Sequence, residues 1–175
     1  MMHCDPPLFA ALLERLADLA IVSIRSLVEA GARAIQLFDS WAGALSPADY
    51  RAHVMPHSER VFTELADLGV PRIHFGVGTG ELLGLMAEAG ADVIGVDWRV
   101  SLTDARRRIP EGRSVQGNLD PAICLAEWPV VAEQTRRVLA DNDGRPGHIF
   151  NLGHGVTPDI DPAILERVVD LVHTA

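Results

Sequence analysis

The feature that most constrains the fold is an order of elements that occurs twice. Glu29-Ala30-Gly31-Ala32 closes an apolar helical stretch, Ala34-Ile35-Gln36-Leu37-Phe38 follows as a short buried-strand run, and Asp39-Ser40-Trp41-Ala42-Gly43 ends it. The same grammar returns as Glu88-Ala89-Gly90-Ala91, then Val93-Ile94-Gly95-Val96, then Asp97-Trp98. Gly31 suits a helix stop because, without a Cβ, it adopts the left-handed conformation at no steric cost. Short apolar strands that alternate with helices across short connections dictate a parallel sheet with right-handed crossovers.

The rest of the chain extends this pattern. Asp5 before Pro6 and Pro7 opens a helix, since Asp accepts from unpaired amides and Pro needs no partner in the first turn. Leu8, Leu12, Leu16, Leu19, Leu27 and Val28 then keep a broad apolar stripe. Ser46-Pro47 opens a second helix predicted to run to about Gly69; Arg72-Ile73-His74-Phe75 reads as a strand and Glu81 to Glu88 as a helix. Ser101-Leu102-Thr103-Asp104 is a capping box with Asp in place of Glu. Further strands are expected at Ser114 to Gly117 and His148 to Leu152, with helices near Pro129 to Leu139 and Pro162 to Val172. Five strands and six helices fit either a doubly wound sheet or part of a (β/α)8 barrel. A whole barrel takes about 250 residues, so 175 residues hold a little over half of one.

Charge and cysteine usage remove several function classes. The 15 basic residues are all Arg, and 24 acidic residues leave a net charge of −9. Nucleic-acid and anionic-lipid binding are disfavoured, because phosphate neutralisation needs a basic face. Cys4 and Cys124 lie far apart without metal-site spacing, which points to reduced thiols and a cytoplasmic setting. The amino terminus has neither a basic nor an apolar targeting region, and no apolar run is long enough to span a bilayer.

In either architecture ligands bind at the carboxyl ends of the strands, where the βα loops gather. Gly76-Val77-Gly78-Thr79-Gly80 could present backbone amides to an anion. It could equally be a tight turn, because it matches neither the lysine-bearing phosphate loop nor GxGxxG spacing. His154, between Gly153 and Gly155 directly after a strand, offers an accessible imidazole that can serve as acid, base or cation near neutral pH. Ser40 lacks the surroundings of a nucleophile elbow, so its hydroxyl suits hydrogen bonding to a ligand. Asp39 and Asp97 could form a carboxylate pair or could cap the loops that follow them.

Taken together, the runs QLFDSWAG (36–43), GVDW (95–98), QGNLDP (116–121) and NLGHG (151–155) resemble the uroporphyrinogen decarboxylase family in order and spacing. The resemblance extends from Asp5 to His173 and implies a (β/α)8 barrel, of which residues 1–175 are the carboxy-terminal five βα units. It implies a cytoplasmic homodimer of haem and chlorophyll synthesis that uses neither metal nor organic cofactor. The implied reaction removes the four acetate carboxyls of uroporphyrinogen III to give coproporphyrinogen III. A pyrrole carbon, once protonated, makes the ring its own electron sink, which is the part a cofactor otherwise plays. By the same resemblance His154 is catalytic and contacts substrate, Ser40 hydrogen-bonds a substrate carboxylate, Phe38 lines the pocket, and Gly78 and Gly80 let the macrocycle approach the backbone. The family's amino-terminal motifs, with paired arginines and the aspartate that faces the pyrrole nitrogens, have no match here. The chain is therefore expected to be a fragment.

Two rival readings follow. A corrinoid-linked methyltransferase of the same superfamily needs an HxC zinc motif, and in His74-Phe75-Gly76 glycine stands where the thiolate belongs. A half-barrel would expose sheet edges and its apolar interior, so the chain could be inactive alone, self-associating or dependent on a complementary amino-terminal half.

Overall fold

A computed structural model describes residues 1–175. Asp5 caps the first helix, α1 (Pro6–Glu29), by accepting from the Leu8 amide at 3.1 Å, and Gly31 stops it at φ +108°. The chain continues through β1 (Ile35–Phe38), α2 (Pro47–His53), α3 (Met55–Glu64) and β2 (Arg72–Phe75). Next come α4 (Leu83–Glu88), β3 (Val93–Gly95), α5 (Leu102–Arg108) and β4 (Ser114–Leu119). It ends with α6 (Trp128–Asp141), β5 (His148–Leu152) and α7 (Pro162–His173). Ser46 and Ser101 cap α2 and α5 through the amides of Asp49 and Asp104.

Two sequence expectations need correction. The helix read from Ser46 to Gly69 is two helices that meet at Val54, followed by a separate 3₁₀ turn at Ala66–Leu68. Pro56 explains the break, because its ring lacks an amide hydrogen and collides with the preceding turn. The leucine stripe of α1 is not the face that packs on the sheet. Ala17, Ile21 and Ile24 are buried against Ile35, Val61 and Leu65, whereas Leu8, Leu12, Leu16, Leu19 and Leu27 are all exposed.

All five strands are parallel, and their order in space is their order in the chain, β1-β2-β3-β4-β5. A doubly wound sheet reverses direction at a switch point; this one never does. It also curls. Gln116 Nε2 on β4 donates to Gln36 Oε1 on β1 at 2.9 Å. In a flat sheet strands three apart are separated by roughly 14 Å, so the two side chains meet only across a concave face. The protein is part of a (β/α)8 barrel, with five consecutive strands of its wall.

Side-chain alternation sorts the residues between the two faces. The outer face carries Leu37, Ile94 and Val115 into a core completed by Tyr50, Phe62, Leu83, Met86 and Leu102 from the helices. A second outer cluster joins Leu119 to Val131 and Val168 of α6 and α7. At the amino ends of β2 and β3, Arg72 Nε and Nη2 donate to the two carboxylate oxygens of Asp92 at 2.9 and 3.0 Å. Such a planar fork fixes orientation as well as charge. No helix is long and apolar enough to cross a membrane.

Candidate active site

The loops at the carboxyl ends of the strands are fastened to one another in sequence. Asp39 begins the loop after β1, its amide donating to Phe75 O at 2.7 Å. Gly43, in the same loop, lies against the next one so closely that a Cβ would stand 2.1 Å from Val77 O. The Gly76–Gly80 segment turns with Gly78 at φ +69°, and the Gly78 amide donates to Asp97 Oδ2 at 2.7 Å. Asp97 is buried and also accepts from the Arg99 amide at 3.1 Å and the Arg99 guanidinium at 2.6 Å.

These contacts decide how Asp97 and the glycine segment work. Asp97 is a tie between the loops after β2 and β3, the capping role that the sequence left open. It is not brought together with Asp39, whose carboxylate faces His74 instead, with Oδ2 3.5 Å from Nε2. Of the two readings left open for the glycine segment, the tight turn holds: the Gly78 amide is taken by Asp97, although Gly78 itself is exposed. Gly80 stands under the rim, where a Cβ would meet Val100 Cγ2 at 2.6 Å.

The last loop is seated against the third. The Gly153 amide donates to Leu119 O at 2.7 Å, and a Cβ on Gly153 would lie 2.5 Å from the Trp98 nitrogen. That close approach holds the exposed His154 edge-on to Trp98, with ring centroids 6.1 Å apart. Arg99 lies over the ring of the same Trp98, its guanidinium carbon 4.0 Å from the centroid, a favourable cation–π distance. Asn118 Nδ2 donates to the carbonyls of Asp97 and Val100, so β4 braces the same rim.

Phe38 projects from the concave face and meets Phe75 edge-on at 6.0 Å; Gly95 leaves room for the Phe75 ring. Ser40 is exposed beside it, and Trp41 is the most exposed large apolar side chain, at 89%. Phe38, Ser40, Gly78 and His154 thus share the carboxyl rim, with His154 at the opposite end of the arc from Ser40. A hollow of about 740 Å³ lies at the other end of the strands among Arg106, Arg113 and Arg145, away from these loops.

Sequence reading met His74 only as the histidine of an incomplete HxC motif and gave it no place in the site. His74 is fully buried on β2, between the outer core and Asp39. The signal was its parity: with Ile73 and Phe75 pointing to one face of the strand, His74 had to enter the apolar layer on the other. Nearby, the Tyr50 hydroxyl is pushed above its ordinary range, first by burial and then by the negative charge of Asp39.

The family model for uroporphyrinogen decarboxylase (URO-D) matches residues 1–175. The chain belongs to the uroporphyrinogen decarboxylase family. It is 62% identical over 178 residues to the uroporphyrinogen decarboxylase of Nocardia farcinica, an alignment that covers 99% of this chain and 50% of that protein. The enzymes of Salinispora tropica and Streptomyces griseus are each 60% identical, with 99% of this chain and 47% of theirs covered. The chain spans about half the length of the curated relatives it matches. Among solved structures, a methyltransferase from Methanosarcina mazei shares the fold, with a TM-score of 0.79 at 17% identity over 90% of this chain and 47% of that one.

Proposed function

We propose that this chain carries the serine-and-histidine side of a uroporphyrinogen decarboxylase active site, residues 1–175 being the carboxy-terminal five units of the barrel. The reaction is the removal of the four acetate carboxyls of uroporphyrinogen III to give coproporphyrinogen III, a carboxy-lyase step of haem synthesis in the cytoplasm. The observation that carries this reading is the identity of about 60% to curated decarboxylases across 99% of the chain, with the Ser40 and His154 segments on one rim.

Each decarboxylation needs a proton on a pyrrole carbon, so that the electron pair of the breaking C–C bond flows into the ring as carbon dioxide leaves. A second proton then converts the released methylene to methyl, and the ring carbon gives up the first to restore the pyrrole, so each carboxylate lost consumes one proton net. In this reading His154 is the catalytic side chain and contacts a substrate carboxylate or the adjacent pyrrole. Ser40 hydrogen-bonds a carboxylate, Phe38 packs on the macrocycle, and Gly78 and Gly80 keep the backbone low enough for it to approach. Preorganised donors of this kind are the usual source of electrostatic stabilisation.

The countercharge for the pyrrole cation must come from elsewhere, because the chain has no match to the family's amino-terminal aspartate and arginines. The remaining units of the barrel, supplied in the test below as a complementary piece, would cover the exposed leucines of α1 and pair with the open edges of β1 and β5. The exposed leucines also support a second reading, a half-barrel that associates with itself without turnover. In the complete enzyme the family resemblance favours a homodimer.

The test is an anaerobic assay with uroporphyrinogen III, using the chain alone and mixed with the part of the Nocardia farcinica relative that it does not cover. Coproporphyrin is read by fluorescence after oxidation. Product in the mixture supports the decarboxylase reading, and its absence from a soluble, associated mixture overturns it.

A further inference from the structure

Asp39 Oδ2, His74 Nε2 and Tyr50 Oη are the three buried side-chain polar atoms of the chain that have no hydrogen-bond partner. They come from the first residue of the loop after β1, from β2 and from α2. Buried polar atoms without partners are rare, and a group of neighbours calls for a shared explanation.

The surroundings of His74 supply it. Its Nδ1 faces Met86 O at 3.5 Å and its Nε2 faces Asp39 Oδ2 at 3.5 Å, so both ring nitrogens look at acceptors. A neutral imidazole has one N–H and one lone pair, and either tautomer would set a lone pair against an oxygen. The Phe62 ring lies 5.0 Å away and the rest of the layer is apolar. The conflict disappears when a proton lies between Nε2 and Oδ2 while Nδ1 keeps its own.

We propose that His74 is a positioning residue that shares a proton with Asp39, turning that carboxylate into the fold and cancelling its charge beside Ser40. This rests on the decarboxylase reading for its purpose: the substrate is a polycarboxylate, and a bare Asp39 on the rim would repel it. Asp39 is the residue immediately before Ser40, so the direction of its side chain also sets the direction of the serine. His74 touches no substrate; it acts through Asp39.

Two measurements test the pair. In the isotopically labelled 175-residue chain, proton NMR should show a downfield, slowly exchanging imidazole proton correlated with His74 Nε2, and Asp39→Asn should remove it. In the complemented assembly, His74→Leu should raise KM about ten-fold with kcat nearly unchanged, the size of one uncompensated like charge. His74→Gln, which keeps a neutral donor toward Asp39 but no positive charge, should raise KM nearly as far as His74→Leu does. The double variant His74→Leu/Asp39→Asn should return it to the parent value, since the charge is gone. A His74 signal with an unprotonated Nε2, or a His74→Leu variant with parental KM, overturns the proposal. Equal KM in the single Leu and double variants overturns it as well. The NMR result stands whether or not the assembly decarboxylates anything, so a failure of the functional reading is distinguished from a failure of the pair.

Discussion

Replacing Gly153 by Ala probes the contact on which the position of His154 depends. The added methyl would sit 2.5 Å from the Trp98 nitrogen and 3.1 Å from Asp97 C and Trp98 Cα. All three are backbone atoms that cannot rotate aside, and comfortable carbon contacts begin near ~3.5 Å, so the loop must retreat by roughly 1 Å. Overpacking of this kind costs about 1–3 kcal/mol. The retreat also strains the hydrogen bond from Gly153 to Leu119 O, adding about 1 kcal/mol. The expected total is about 3 kcal/mol, which for a chain of this size lowers Tm by about 9 °C. Urea and thermal unfolding followed by tryptophan fluorescence read the change. Gly155→Ala is the matched control: a Cβ there meets nothing within 4 Å, so the shift should stay within about 0.5 kcal/mol. Equal stability of Gly153→Ala and the parent chain would refute the seating of the last loop on Trp98.

Four other outcomes follow from the same geometry. Asp97→Ala removes the shared acceptor of the Gly78 and Arg99 amides and should cost about 2 kcal/mol by urea unfolding. The Arg72 fork holds the Asp92 carboxyl below the usual carboxylate range, with burial opposing. Its stabilisation is therefore complete above the unfolded value of about 3.9 and is lost as pH falls through that value toward the lower folded one. Because Asp92 is partly exposed the amount is about 1 kcal/mol or less, and Arg72→Ala should flatten the acid limb of a stability-versus-pH curve. Cys4 is exposed, whereas burial and then the charge of Asp120 push the Cys124 thiol up. A thiol reagent should therefore titrate one group quickly in the native chain and the second only in denaturant. Finally, Leu8→Glu with Leu19→Glu should abolish assembly with the complementary piece, measured by size-exclusion chromatography, while leaving the helical circular dichroism of α1 intact.

The alternation of elements was legible because its signals are local. Asp5, Ser46 and Ser101 cap helices in the structure as their sequence neighbourhoods dictate, and Gly31 stops α1 in the left-handed region. Strand order was not local: the choice between a doubly wound sheet and a barrel wall became clear only from the unbroken pairing of β1 to β5 and the Gln36–Gln116 bond. On α1, leucine count misled, since Ala17, Ile21 and Ile24 form the face that packs with Ile35, Val61 and Leu65 while the leucines face outward. The rim segments stood out by their polar and glycine content at strand ends. What sequence could not tell is which partner each side chain takes. Asp97 and Asp39 are alike in sequence position, yet one ties two loops together and the other meets His74, a difference set by tertiary packing.

The central claim is that the rim bearing Ser40 and His154 works as one side of a decarboxylase site, and the most direct measurement compares parent and His154→Ala chains in the complemented anaerobic assay. The account predicts coproporphyrin from the parent mixture and its loss, by at least about a hundred-fold, from the His154→Ala mixture, the scale of a removed proton-transfer group. Coproporphyrin formed at the parental rate by the His154→Ala mixture would contradict it.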